Sequence, residues 1–358
     1  MEPELPERRD FDWALIGPHG LRAGWSLLLF AAAYYIFRMV AGTVFFTVGL
    51  VSDTSDFSAV PVLIGEMVPL LALLGAAAVM GLIEGRRILD YNLTGPSCVR
   101  HFLSGLAAGF VALSLLAGTL AWGGWLRFGP AALSGTAILR FAALWGCAFL
   151  LVAAVEEGLF RCYSLFTLTR GISFRWALAA QIAICLYLAL IGGGHKVWGV
   201  YAAAALGLLP CIALHKKAAP RSGFWQAAWV TSTVFGFYHT TNNGENWVGI
   251  FAASFIGFVF CVSVRVTGSV WWAIGCHAAW DWAETFFYGT ADSGLRGQGH
   301  FLSARPAGNP LLSGGTDGPE GSLLVLGVVL LLLLFLLVLY GRRKQPMPDA
   351  PAAQQAAD

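Results

Sequence analysis

Charge is scarce in this chain: Asp, Glu, Lys and Arg make up 12% of its 358 residues, about half the share found in a soluble globular domain. With 57% of the residues hydrophobic, that scarcity excludes an ordinary soluble fold and leaves an integral membrane protein. The net charge is +2 and there is no block of basic residues, so the footprint of a nucleic-acid binder is absent. Cysteine is thinly spread. Cys98, Cys147, Cys162, Cys185, Cys211, Cys261 and Cys276 are odd in number and mostly lie in apolar runs, and they suggest neither a disulfide framework nor a CxxC metal site. A cleavable leader is not expected, because MEPELPERRD is polar and the apolar run after it is too long for an h-region.

What is present is a series of apolar stretches near the ~20 residues that a bilayer requires. About ten are expected, near 23–51, 59–83, 102–126, 139–160, 176–192, 197–214, 223–241, 247–264, 268–288 and 322–340. The expected fold is an all-α polytopic membrane helix bundle. Basic residues collect before the first span (Arg8, Arg9, Arg22) and after the second (Arg86, Arg87), fourth (Arg161, Arg170, Arg175), sixth (Lys216, Lys217, Arg221) and tenth (Arg342, Arg343, Lys344). The intervening connections, VSDTSDFS above all, are poor in them, which predicts cytoplasmic termini. The organisation read from this is an N-terminal membrane region over 1–138 and a core over 139–289 with an inserted hairpin at 176–215. A Gly-rich non-cytoplasmic segment over 290–320, a C-terminal anchor over 321–341 and a disordered tail over 342–358 follow. A short Ala/Gly/Leu-rich chain without targeting signals points to a bacterial inner membrane.

A charge at the centre of a membrane helix costs about 2.5 kcal/mol or more, so the ionisable residues inside the spans carry the information. Arg38 and Glu66, on the first two spans, are expected to pair with each other or to snorkel. Three clusters are different. In AAVEEGLFR, Glu157 and Arg161 are four apart and share a helix face, in the order favoured for an ion pair. Glu156 is turned about 100° away and stays free. In FGFYH, Phe235 and His239 share a face, with the ring expected to stack one turn below the imidazole; in HAAWD, His277 and Asp281 do the same. Any one cluster reads equally well as a neutralised bridge, a satisfied core histidine or an interfacial tryptophan belt. Together in one membrane core they point to a site.

A free carboxylate and an imidazole around one water can remove its proton. A second imidazole backed by Asp281 can donate to an oxygen that turns negative during attack on a carbonyl. That is amide hydrolysis. Glu156, His239 and His277 could instead ligate a Zn²⁺ that polarises the water, and the sequence does not separate the two mechanisms. No cofactor other than this Zn²⁺ is suggested.

In order, Glu156-Glu157-x-x-x-Arg161, Phe235-x-x-x-His239 and His277-x-x-x-Asp281 resemble the three motifs of the CPBP family of intramembrane endopeptidases, the CAAX proteases and bacteriocin-processing enzymes also called the Abi family. The resemblance covers roughly residues 139–288. It implies that Glu156 and His239 activate the water, that Glu157 and Arg161 order the helix, and that His277 and Asp281 stabilise the oxyanion or complete a metal site. It also implies a membrane-associated protein or peptide as substrate, met in the lipid bilayer, and no nucleic acid. The third motif often ends in Asn, and Asp281 donates a hydrogen bond only when protonated or through His277. Other intramembrane protease chemistries fit worse: HExxH and GxGD are missing, Ser134 lacks the first Gly of GxSG, and Cys162 has no partner that would make it a thiolate. Two further classes are a proton-coupled membrane carrier, with the same residues as a relay, and a non-catalytic scaffold or immunity protein.

Depth is a difficulty. A fourth span starting near 139 puts Glu156 some 25 Å along it at the ~1.5 Å rise, at the cytoplasmic end and out of level with His239. A fourth helix continuing past Arg161 toward Leu168 would bring the two together.

Overall fold

The computed structural model describes residues 12–17, 20–51, 57–217, 222–242 and 244–341. The tail at 342–358, the basic residues Arg8, Arg9, Arg221, Arg342, Arg343 and Lys344, and most of VSDTSDFS lie outside the described residues.

Among the described residues, ten long helical segments form the bundle. They are α1 (Ala23–Thr47), α2 (Ala59–Glu84), α3 (Cys98–Trp122), α4 (Thr136–Gly171), α5 (Phe174–Ile191), α6 (Val197–Lys216), α7 (Ser222–His239), α8 (Trp247–Thr267), α9 (Trp271–Trp282) and α10 (Leu323–Tyr340). Eight described helices are long and apolar enough to cross a membrane; α7 and α9 are not. Their shortfall has a cause in the sequence. Gln226, Thr231, Ser232, Thr233 and His239 dilute α7, and α9 has 12 residues before its backbone widens into a π-helical turn over Ala283–Tyr288. These two helices carry the second and third motifs.

The fourth span runs from Thr136 to Gly171, further than the expected 139–160. Its α-helical part ends at Glu157, a π-helical stretch follows over Gly158–Ser164, and an α-helical turn closes it over Leu165–Gly171. The apolar run stops at the charged residues, while the backbone hydrogen bonding continues through them.

Two-thirds of the apolar window of α8 is buried, against 6% of that of α1, so α8 is central and α1 faces outward. Around α8 pack α6, α7, α9 and α10, and α9 lies along α3. That last contact depends on glycine. A Cβ on Gly105 or Gly109 of α3 would collide with the Trp272 or Cys276 carbonyl, and one on Gly275 of α9 with the Phe102 carbonyl. Small residues at such points let helix backbones approach closely within a membrane, where dispersion rather than water exclusion drives association. The helix carrying His277 and Asp281 is thereby held against its neighbour.

Although the bundle is helical, three two-stranded ribbons accompany it among the described residues. Strand β1 (Ile16–Gly17) pairs with β2 (Gly20–Leu21), β3 (Leu126–Phe128) with β6 (Ala304–Pro306), and β4 (Ala291–Asp292) with β5 (Leu295–Arg296), all antiparallel. The last two ribbons, a turn at Pro310–Ser313 and a 3-10 turn at Pro319–Gly321 fold residues 290–320 into a cap. Asn246 ties the cap to the start of α8. Its backbone N–H donates to Asp317 Oδ2 at 3.0 Å, and its amide donates to the Gly321 carbonyl at 3.1 Å.

Candidate active site

The first motif sits where α4 changes from α to π hydrogen bonding, a local widening that is often found at functional sites. Asn92 donates to the Arg161 carbonyl within this stretch at 2.8 Å, and its own carbonyl accepts from Val270 N at 2.9 Å, just before α9. One loop residue thus joins the first motif to the start of the third-motif helix. Arg161 is fully buried and its guanidinium meets Glu157 Oε1 at 3.2 Å, the pairing expected from their spacing. The guanidinium carbon lies 4.1 Å from the Phe235 ring centroid and 5.4 Å from that of Phe260. Its Nε and second terminal nitrogen have no hydrogen-bond partner, so the aromatic faces carry the remaining stabilisation. Gly257 leaves the room, since a Cβ there would stand 2.6 Å from the guanidinium.

Glu157 does more than balance Arg161. The same oxygen accepts from His277 Nδ1 at 3.0 Å, so the first and third motifs share one carboxylate. Spacing within one helix cannot reveal a partner 120 positions away. His277 Nε2 faces Asp281 Oδ2 at 3.5 Å and Glu156 Oε2 at 3.8 Å, separations beyond a good direct hydrogen bond and open to a bridging water or substrate oxygen. Phe260 stacks on the imidazole with centroids 5.7 Å apart.

His239 ends α7. Its Nδ1 lies 2.8 Å from the Phe235 carbonyl, which can only accept, so Nδ1 carries the hydrogen and a neutral ring keeps Nε2 as an acceptor. The Phe235 ring is tilted by 57° from the imidazole at 4.6 Å instead of lying flat beneath it, because it also faces Arg161.

A cavity of about 330 Å³ opens among these residues, and Glu156, His239, His277 and Asp281 line it. Glu157 and Arg161 are wholly buried and do not line it. With α4 running to Gly171, Glu156 is well inside the helix and lies on the same wall as His239. The wall also holds Glu66 and three residues that no motif singles out, Glu245, Asp292 and Glu320. Glu66 is expected to pair with Arg38 or to snorkel; it lines the cavity within electrostatic reach of Arg38, whose guanidinium also donates to the Tyr34 hydroxyl at 3.5 Å. The ENW and PEG stretches that hold Glu245 and Glu320 show no helical spacing that would single them out.

Among the described residues no group of three or more His, Cys, Asp or Glu is arranged to hold a metal ion. No step below is routed through a metal.

The fold and the cavity define a polytopic helical membrane protein with carboxylates and imidazoles gathered inside the bundle. Residues 213–283 match the family model described as Type II CAAX prenyl endopeptidase Rce1-like. The matched stretch contains His239, His277 and Asp281 and agrees with the family resemblance drawn from the three motifs; Glu156, Glu157 and Arg161 precede it. No curated protein and no solved structure matches the chain.

Proposed function

We propose that this integral membrane protein is an intramembrane endopeptidase that hydrolyses a peptide bond of a membrane-associated protein or peptide, in the manner of the CAAX proteases. The observation that carries the reading is the meeting of Glu156, His239, His277 and Asp281, from three separate helices, on one cavity wall. The Rce1-like match over 213–283 supports it independently of the first motif.

In this reading a water sits between Glu156 and His239 Nε2. Glu156 keeps one buried oxygen without a hydrogen-bond partner, free to take the proton as the water oxygen attacks the scissile carbonyl. The carbonyl oxygen becomes negative and accepts from the Nε2–H of a His277 imidazolium, whose Nδ1–H is held by Glu157 and which Asp281 flanks. Return of the proton to the amide nitrogen lets the C–N bond break, giving a carboxylate and an amine. Glu157 and Arg161 act as positioning residues, holding the His277 ring through Nδ1. The termini are cytoplasmic, the cap is on the other face, and the host membrane is a bacterial inner membrane.

The test compares new peptide termini in membranes from cells making the unsubstituted protein and cells making Glu156→Gln. The change removes the base and spares packing. Turnover should fall by about 10²–10⁴-fold, the usual contribution of a general base, and the termini should vanish. Identical termini from both folded proteins would leave the carrier or the scaffold.

A further inference from the structure

Six carboxylates line the cavity, Glu66, Glu156, Glu245, Asp281, Asp292 and Glu320, and no lysine or arginine lines it among the described residues. Glu245, Asp292 and Glu320 belong to none of the three motifs and gather at the cap end. Each holds one neutral donor: Asn242 Nδ2 on Glu245 at 2.9 Å, Thr285 Oγ1 on Asp292 at 3.0 Å and Trp280 Nε1 on Glu320 at 2.7 Å. Glu284 and Asp317 lie close by with no exposed surface. Both carboxyl oxygens of Glu284, and Oδ1 of Asp317, have no hydrogen-bond partner. Glu284 is aimed into the cap segment that carries the cluster, since a Cβ on Gly318 would stand 3.2 Å from its Oε1.

Buried carboxyls without donors are costly unless protons or a cation complete them. Among the described residues the oxygens stand apart rather than gathered into a group that holds a metal ion. A cationic head on an aliphatic stem suits them, because it can spread several donors over separated oxygens while its stem lies on Trp280 and Leu295 of the same wall. We propose that the cap end of the cavity, walled by Glu245, Asp292 and Glu320 and backed by Glu284 and Asp317, is a subsite for a lysine or arginine side chain of the peptide substrate. The proposal rests on the endopeptidase reading for the identity of its ligand.

Burial, and then repulsion from Glu245, pushes the Asp317 carboxyl up to about 9. Burial, and then repulsion from Glu320, raises Asp292; burial, and then repulsion from Asp281 and Glu245, raises Glu320. The groups facing this pair are Glu245 from the α7–α8 turn, His277 and Asp281 from α9, Glu284 from the turn after it and Asp317 from the cap. An arriving cation displaces the protons held here, so its binding strengthens from about pH 6 to about pH 9, while lysine itself stays charged.

The test uses the full-length protein in detergent with Glu156→Gln to block cleavage, and dye-labelled apolar decapeptides carrying one lysine or, in its place, norleucine. At one position in the peptide, lysine should bind about tenfold tighter than norleucine, as a charge-assisted contact would. The preference should grow with pH and collapse in Asp292→Asn/Glu320→Gln. Equal binding of the two peptides, or a preference that the double variant keeps, overturns the subsite. If the double variant loses the norleucine peptides too, the pH profile of the preference in the intact cluster decides, and a flat profile overturns it. The same peptides incubated with the protein carrying Glu156 separate the two readings. Cleavage without a lysine preference sinks the subsite alone; a lysine preference without cleavage of any peptide sinks the endopeptidase alone.

Discussion

At Arg161 a full positive charge is held where its side chain has no exposed surface, and one carboxylate oxygen at 3.2 Å with two aromatic faces is its counterpart. Removing one member of such a buried pair typically costs about 3–5 kcal/mol, because the other is left uncompensated. Arg161→Met, which leaves Glu157 with His277 alone, should therefore lower the thermal unfolding midpoint in detergent more than Glu157→Gln/Arg161→Met, in which the carboxylate goes with its guanidinium and an amide oxygen still accepts from His277 Nδ1. Equal losses would mean that packing, not charge, decides at this site. The pair was legible in the sequence because both residues lie on one helix. The contact of Glu157 with His277 was not, and neither was the role of Asn92, since these depend on how α4, α9 and a loop meet.

At the scale of elements, the length of α4 resolves the depth problem. Its 36 residues at ~1.5 Å each give about 54 Å, well beyond the ~30 Å hydrocarbon core. Glu156 then lies about 30 Å from one end and 22 Å from the other, near the middle of the helix. The first motif runs into a π-helical stretch over 158–164 that holds Arg161, and the third is followed by one over 283–288. By length and hydropathy α7 and α9 fall short of a full span, and the spacing of polar residues marks them instead, through His239 on α7 and His277 and Asp281 on α9, which line the cavity. The cap makes its own prediction. Asp317 is raised to about 9, so the folded cap keeps a proton that an unfolded carboxyl loses near its ordinary value of about 4. Between those values the folded state binds more protons, and its stability falls as pH rises. Amide exchange in residues 290–320 of the peptide-free protein should accelerate from about pH 5 to about pH 9 beyond the intrinsic rate increase, and Asp317→Asn should flatten the trend. A cap that tightens with rising pH would contradict this.

For the whole molecule, the bundle was legible from composition and from the run of apolar segments, whereas the cap was not. Its ribbons join residues near 126 to residues near 305, a pairing that no local pattern announces, and its acids become a cavity wall only through that closure. Orientation then decides from which side a peptide can reach this wall. Arg86 and Arg87 follow α2, and basic residues of this kind mark the cytoplasmic face. The side chain of Arg87 is exposed beside its partner Asp90, and Thr316 is exposed on the cap. A membrane-impermeant maleimide applied to intact cells should therefore label Thr316→Cys and leave Arg87→Cys untouched until the cells are permeabilised, with the unsubstituted protein giving the background of its seven native cysteines. The reverse pattern would turn the bundle over and place the acidic end of the cavity on the cytoplasmic side, where a basic peptide would have to come from the cell interior.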